Sequence, residues 1–375
     1  MIVSFTCLNR IILIRLSSIN DTIKFMNKLN KRQIDILEKL SEEKAFSSSE
    51  VSQALKQKVS LVTIKRDLDH LVSLKYLERK GSGRSTFYEK TTLGFLLSPV
   101  DVSVYIKTDP DKREGRSSFN FSLFEKFPNS IFTKEELKTL DIATKTYQKN
   151  IKNITTGVQS KELERFIIEL SWKSSKIEGN TYTLLDTERL IRDGISSKSN
   201  TKNETSMILN HKKAFSFILA NLDSLHKNGL NSNFVEKVHE LLTLDLDISR
   251  GIRRGLVGII GTKYKPLDNK YQIKEALESL CGVVNKMTNV YSKALTALVG
   301  LSYIQPFEDG NKRTARLVCN ALLLVENYAP LSYRSVDENY YRESILVFYE
   351  KNSLLPMKDI FTEQYIFSTQ NYLVK

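Results

Sequence analysis

The chain reads as mainly α, an all-helical domain with one small β-hairpin, preceded by a smaller domain of three helices and a hairpin. Three observations lead there. At 375 residues the chain exceeds one ordinary core, and typical domain sizes imply roughly two to three domains. Hydrophobic residues at 41% and charged residues at 26% are globular values. Beyond about residue 129 nearly every apolar repeat has helical spacing, as in KELERFIIELSWKSSKIEGN and NKRTARLVCNALLLVENY.

Composition narrows the function classes. Lys plus Arg at 56 against Asp plus Glu at 43 leaves +13, which points to a polyanionic partner. Cys7, Cys281 and Cys319 are far apart, and His70, His211, His226 and His239 have no ligand neighbour at short spacing. A disulfide scaffold and a structural zinc site are therefore excluded as organising principles. The reducing cytosol is the expected location.

Residues 1–26 are an N-terminal extension, apolar but interrupted by Arg10 and Arg15. That pattern fits neither a signal peptide nor a membrane span. It reads as a short amphipathic helix or an over-extended start, with Met26 as the beginning. No later stretch spans a bilayer, so a soluble cytoplasmic chain with no membrane partner is expected.

Residues 27–92 form the small domain. Ile34, Leu37 and Leu40 make a first helical stripe, and SSSEVSQALK follows with cap candidates at 47–49 and Glu50 in the first turn. Leu61, Ile64, Leu68 and Leu71 place a third helix against the core. YLERKGSGRSTFYEKT then reads as two strands around Gly81, Ser82 and Gly83. This order makes a winged helix-turn-helix, and VSLVTIKRDLDHLVSLKYLERKGSGRSTFY resembles the DeoR-type winged helix. Lys65 and Arg66 on the third helix, with Arg79, Lys80 and Arg84 flanking the wing, are the footprint of contact with DNA. Asp67 and Asp69 share that helix, and the fold also serves as a protein-binding or dimerising module. DNA is the favoured partner of the two.

Residues 93–128 lose apolar periodicity, and TDPDKREGRSS reads as a linker. The helical domain, 129–375, has one exception to its helical spacing, RGLVGIIGTKYKPL, where Val257, Ile259 and Ile260 among glycines suggest a short hairpin.

Residues 304–316 read IQPFEDGNKRTAR, a helix end, a short loop and a new helix start. Gly310 lets the backbone approach a ligand, and the next helix presents unpaired N–H groups at the positive end of its dipole. Asp309 is suited to hold a magnesium ion through one carboxylate. Lys312, Arg313 and Arg316 add cations around the same point. Alone, this stretch is equally an ordinary helix N-terminus.

Pro306, Phe307, Asp309, Gly310, Asn311, Arg313 and Arg316 resemble the Fic motif, HPFxDGN followed by G or K and then RxxR. Further likeness runs from about Leu163 to Leu346, including Asn210 with Ala214, His239 with Leu242, and Arg250-Gly251-Ile252-Arg253. The resemblance implies a Fic fold and AMP transfer from ATP, with Mg2+, to a Ser, Thr or Tyr hydroxyl of a protein target, itself included. It implies that Phe307 anchors the loop, that Asp309 binds the metal, and that Gly310, Asn311, Lys312, Arg313 and Arg316 hold phosphates. Lys312 also occurs in the Doc-type toxins, which transfer the terminal phosphate; the length of this chain and its inhibitory helix favour AMP. Fic domains commonly self-associate, which implies a homodimer.

The family's general base is a histidine, and here that position holds Gln305. An amide orients a hydroxyl but takes no proton near neutral pH, and losing a positioned base costs about 10²–10⁴ in rate. Upstream, Ser174 and Glu178 resemble the Fic inhibitory motif, [S/T]xxxE[G/N], on a helix over 161–179. The resemblance implies that Glu178 pairs with Arg316 where the γ-phosphate would sit. The hairpin at 257–266 resembles the family's flap, to which an extended target segment adds by strand pairing. Two functions follow, a self-inhibited adenylyltransferase impaired by Gln305, or a nucleotide-sensing, DNA-binding regulator without catalysis.

Overall fold

A computed structural model of the chain describes residues 29–40, 44–55 and 59–374, the Arg84 side chain excepted. The N-terminal extension and Met26 lie outside the described residues. The chain divides into two compact units, one running through Phe95 and including Phe132–Asp141, the other formed by Leu96–Ile131 and the residues from Ile142 onward.

The first unit contains helices α1 (Lys31–Lys39), α2 (Ser48–Ala54) and α3 (Leu61–Ser73), with strands β1 (Phe46–Ser47), β2 (Leu77–Lys80) and β3 (Phe87–Lys90). Asn30 with Gln33, and Ser47 with Glu50, form reciprocal capping boxes that start α1 and α2. The strands form an antiparallel sheet ordered β1-β3-β2, with Leu77 opposite Lys90 and Lys80 opposite Phe87. Gly81 turns the chain at φ 74°, where a Cβ would fall 2.0 Å from the Ser85 carbonyl oxygen. Ile36, Leu37, Val51, Ile64, Leu68, Leu71 and Tyr88 fill the core.

Two details differ from expectation. Leu61 is exposed rather than core-facing, because it opens the first turn of α3 before the buried stripe begins. Asp67 is buried and ion-paired to Arg32, with Gln33 Nε2 donating to it at 3.0 Å. It therefore ties α1 to α3 and offers no charge to the surface.

Helix α4 (Thr92–Leu96) runs to the boundary between the units, and α5 (Val102–Lys107) and α6 (Ser122–Glu125) follow in the second unit. The long helices are α7 (Lys134–Lys152), α8 (Thr156–Ile177), α9 (Leu184–Asp193) and α10 (Lys202–Ala220). After them come α11 (Leu222–Asn228), α12 (Ser232–Leu242), α13 (Lys270–Lys286), α14 (Val290–Ile304), α15 (Asn311–Val325), α16 (Glu338–Lys351) and α17 (Leu355–Asn371). The result is a mainly helical fold. Helix α14 is buried all round from Ala294 to Ile304, the signature of a central core helix. Gly300 permits its contact with α13, since a Cβ would stand 2.4 Å from Leu280 Cδ1.

The expected linker is not one. Residues 96–131 belong to the second unit, and Arg113 is buried there with Nη1 donating to Glu350 at 3.1 Å and to the Gly261 carbonyl at 2.8 Å. Glu350 is completed by the hydroxyls of Tyr105 at 2.7 Å and Thr262 at 2.6 Å. A buried charge satisfied in this way folds a polar stretch that has no apolar period.

Nor does 257–266 form a hairpin. It is an extended loop turning at Ile260 and Gly261, with a single parallel bridge between Lys265 and Ser118. Arginine side chains take carbonyls on it and at its ends: Arg113 that of Gly261 within it, and Arg253 those of Gly255 and Leu267 flanking it. Cys281 and Cys319 are buried free thiols. Among the described residues no helix is long and apolar enough to cross a membrane.

Candidate functional site

Helix α14 ends where the chain reverses into α15, and that corner is rigid by construction. Gln305 caps α14 in the left-handed region at φ 51°. Arg253 N donates to the Pro306 carbonyl at 3.0 Å, and its Nε to the Gln305 carbonyl at 2.7 Å. Phe307 is fully buried and stacks on the His239 ring at 3.7 Å. His239 Nε2 lies 2.9 Å from the Asp309 carbonyl, so it donates, and burial lowers its pKa to about 4. The imidazole is neutral. It works as an aromatic wall and a loop brace.

Asn311 closes the corner from the other side. Its Oδ1 accepts from Phe307 N at 2.8 Å, while its Nδ2 donates to the Phe307 carbonyl at 2.8 Å and to Gln305 Oε1 at 3.0 Å. Gly310 starts α15 at φ 77° with no side-chain cap. The first-turn N–H groups of α15 are thus left uncapped beside a cleft of about 440 Å³, lined by Glu178, Gln305, Asp309, Lys312 and Arg313 among others.

Three cations of α15 surround this point. Arg313 is buried, with Nη2 donating to Asp309 Oδ2 at 3.0 Å and Nη1 without a partner. Arg316 is fully buried below it. Its Nε donates to Ser174 Oγ at 2.9 Å, and its Nη2 donates to the Ser174 carbonyl at 2.9 Å and to Glu178 Oε1 at 2.8 Å. The Tyr341 ring lies 5.5 Å away, and Nη1 has no partner. Lys312 Nζ approaches Glu178 Oε2 at 3.5 Å.

Glu178 is the C-cap of α8, where the helix dipole disfavours an anion. Burial also opposes its charge, yet Arg316 and Lys312 outweigh both and hold its pKa at about 2. The helix begins at Thr156, five residues before the expected start, and is capped by the Thr155 hydroxyl. Ser174 and Glu178, one turn apart, thus reach the same guanidinium.

Gln305 lines the cleft with both ends of its amide engaged. Its Nε2 donates to the Ser302 carbonyl at 2.6 Å and to the Tyr349 hydroxyl at 3.2 Å, and its Oε1 accepts from Asn311. All other positions read from the loop (Phe307, Asp309, Gly310, Asn311, Lys312, Arg313 and Arg316) stand at this corner. Sequence reasoning missed Tyr349, Tyr341, His211 and Arg342. Arg342 Nη1 donates to the Ile177 carbonyl at 3.2 Å. None of these has a local signal, because the partner that brings each to this corner (Gln305 for Tyr349, Arg316 for Tyr341, Ser174 for His211, the Ile177 carbonyl for Arg342) is remote in sequence.

In the first unit Lys65 and Arg66 are exposed and make no ion pair among the described residues. Arg79 lies 4.0 Å from Asp69, and Lys80 is bracketed by Glu78 and Glu89. The Arg84 side chain lies outside the described residues.

Residues 229–323 match the Fic/DOC family. Over 158 residues the chain is 23% identical to protein adenylyltransferase fic-1 of Caenorhabditis elegans, covering 41% of this chain and 31% of that protein. It is 25% identical over 174 residues to protein adenylyltransferase Fic of Nematostella vectensis, covering 46% and 41%. The match thus spans about a third to two-fifths of these curated relatives. Among solved structures, Fic-1 of C. elegans aligns with a TM-score of 0.54 at 19% identity, covering 64% of this chain and 71% of that one. A Fic domain containing signaling protein from Bacteroides thetaiotaomicron aligns at 0.53 and 21%, covering 63% and 94%. Residues 229–323 are therefore similar to the Fic/DOC family, and the helical unit has the Fic fold.

The Glu178 pair has a pH signature. Its folded pKa, about 2, lies below the ordinary 4.5, so its contribution is present above pH 5 and lost as pH falls toward 2. The shift corresponds to roughly 3 kcal/mol. Urea denaturation should show wild type about 2–3 kcal/mol more stable than Glu178→Gln at pH 7, the gap narrowing steadily below pH 5. A pH-independent gap would contradict the pairing.

Proposed function

We propose that this chain is a Fic-type protein adenylyltransferase held in a self-inhibited state, with ATP as donor and a Ser, Thr or Tyr hydroxyl of a protein as acceptor. The observation that carries the reading is the carboxylate of Glu178 on Arg316 and Lys312, directly over the uncapped start of α15. An anion is already seated there, and an outer phosphate needs the same cations. The names of the similar proteins support AMP transfer at family level.

In this reading Gly310, Asn311 and the first-turn N–H groups receive inner phosphates, while Lys312, Arg313 and Arg316 receive outer ones. The unpartnered, buried Nη1 groups of Arg313 and Arg316 fit an additional anion. Asp309, a largely exposed carboxylate at the rim, suits a magnesium ion that completes its shell with phosphate oxygens. Such an ion would supply charge neutralisation. The protein hydroxyl forms a bond to the α-phosphorus, the bond to the β-bridging oxygen breaks, and pyrophosphate leaves. The hydroxyl proton leaves to solvent water. Gln305, with both ends of its amide engaged, neither accepts nor relays it.

That engagement favours a second reading, a nucleotide-sensing regulator whose Fic domain binds without transferring. The small first unit then acts as a winged helix on DNA. Asp67 faces inward and the wing cations Arg79 and Lys80 are paired, so of the predicted DNA contacts whose side chains are described Lys65 and Arg66 remain. For the full chain, Lys65→Ala with Arg66→Ala should lower the salt dependence of DNA binding by roughly 1–2 log units per log unit of salt. Arg79→Ala with Lys80→Ala should change it far less. Salt-independent binding, or no gel shift, would remove DNA from the account.

The two readings separate with α-labelled ATP and the Glu178→Gly chain, with and without Gln305→His. The adenylyltransferase reading expects protein-bound label in both, stronger by about 10²-fold or more with the histidine. Label only in the histidine variant supports the regulator. Label in neither rejects AMP transfer.

A further inference from the structure

We infer that His211 is a positioning residue for Arg316, acting through Ser174: a neutral imidazole that accepts at Nε2 and so sets the direction of the Ser174 hydroxyl. The inference rests on the nucleotide reading above for its functional meaning, though not for its geometry.

The direction follows from donor and acceptor chemistry. His211 lies in the middle of α10 and is fully buried. Its Nδ1 is 2.8 Å from the carbonyl oxygen of Met207, one turn earlier. A carbonyl only accepts, so Nδ1 carries the proton. The Ser175 hydroxyl, 3.5 Å from the same nitrogen, is at the limit of a hydrogen bond and does not change this assignment. Nε2 is then a bare lone pair, 2.9 Å from Ser174 Oγ. Ser174 must donate to it. The lone pairs of that same oxygen are turned toward Arg316, whose Nε–H donates at 2.9 Å. The chain runs one way: Arg316 to Ser174, Ser174 to His211, His211 to the backbone of α10.

A doubly protonated imidazole would break this order, because Nε2 would become a donor facing a hydroxyl already committed to a cation. Burial, with Arg313 and Arg316 nearby, holds the His211 pKa near 3, which keeps the acceptor available. The groups facing it agree with a neutral ring, since Glu178 is committed to Arg316 and Lys312. With Glu178 removed, Ser174 supplies the remaining side-chain acceptor of Arg316 in the structure. How well the guanidinium is aimed at an outer phosphate then depends on how that hydroxyl is held.

The test uses full-length Glu178→Gly chain titrated with ATP and with AMP, alone and with His211→Gln, His211→Asn or His211→Phe. Glutamine places an acceptor where Nε2 stands, whereas asparagine reaches only the Nδ1 position. ATP binding should survive His211→Gln within about threefold and weaken by about tenfold or more in His211→Asn and His211→Phe. AMP binding should change by less than about twofold throughout, since AMP lacks the outer phosphates. In a Ser174→Ala background, His211→Phe should add nothing further. Equal losses for ATP and AMP, or additive losses with Ser174→Ala, overturn the inference. Nitrogen-15 spectra of histidine-labelled protein, assigned through loss of one signal set in His211→Gln, read the tautomer without nucleotide. A protonated Nε2 overturns the inference even if ATP binds. Failure of the Glu178→Gly chain to bind either nucleotide would instead reject the nucleotide reading, and the functional inference with it.

Discussion

A guanidinium with no access to water must be matched by acceptors, and Arg316 is such a group. An unmatched buried cation costs several kcal/mol. Much of the second unit's architecture can be understood as meeting that demand. The last turn of α8 brings Ser174 and Glu178 to it, α16 brings the Tyr341 ring, and α10 backs Ser174 with His211. The match is incomplete, since Nη1 has no partner. A site with spare donors and an internal anion stabilises the empty protein with the same contacts that a phosphate would use. Stability and ligand affinity are thus set against one another at one residue.

The corner at 305–311 is held by different forces, and its shape does not depend on base chemistry at position 305. Phe307 is clamped by the His239 ring, Asn311 bonds both backbone groups of Phe307, and Arg253 bonds the two preceding carbonyls, of Gln305 and Pro306. Gln305 fits that frame by satisfying Ser302, Tyr349 and Asn311. The geometry of this corner can therefore persist where a proton acceptor does not. In the proposed function, binding and transfer are thus physically separable.

What was legible in the sequence was local. The loop motif, the helix on each side of it, the capping residues Ser47 and Glu50, and the spacing of Ser174 to Glu178 are all set by neighbours a few residues away. What was not legible lies in pairings across the chain. Arg113 and Glu350 are 237 positions apart, and nothing in TDPDKREGRSS announces that its arginine will be buried. Asp67 looks like a surface carboxylate until Arg32 and Gln33 are seen to hold it. The glycine-spaced run at 257–266 has the composition of a hairpin, yet the Gly261 carbonyl goes to Arg113, and Arg253 takes the carbonyls of Gly255 and Leu267 that flank the run. His211 has no motif at all; its meaning comes only from the three atoms it stands between.

The central claim is that Glu178 occupies on Arg316 the place an outer phosphate would take. Calorimetric titration of ATP into wild type and Glu178→Gly, side by side at neutral pH, tests this most directly. The account predicts binding at least about tenfold tighter in the variant, as one charge-assisted contact is handed from carboxylate to phosphate. Equal affinities in the two proteins would contradict it.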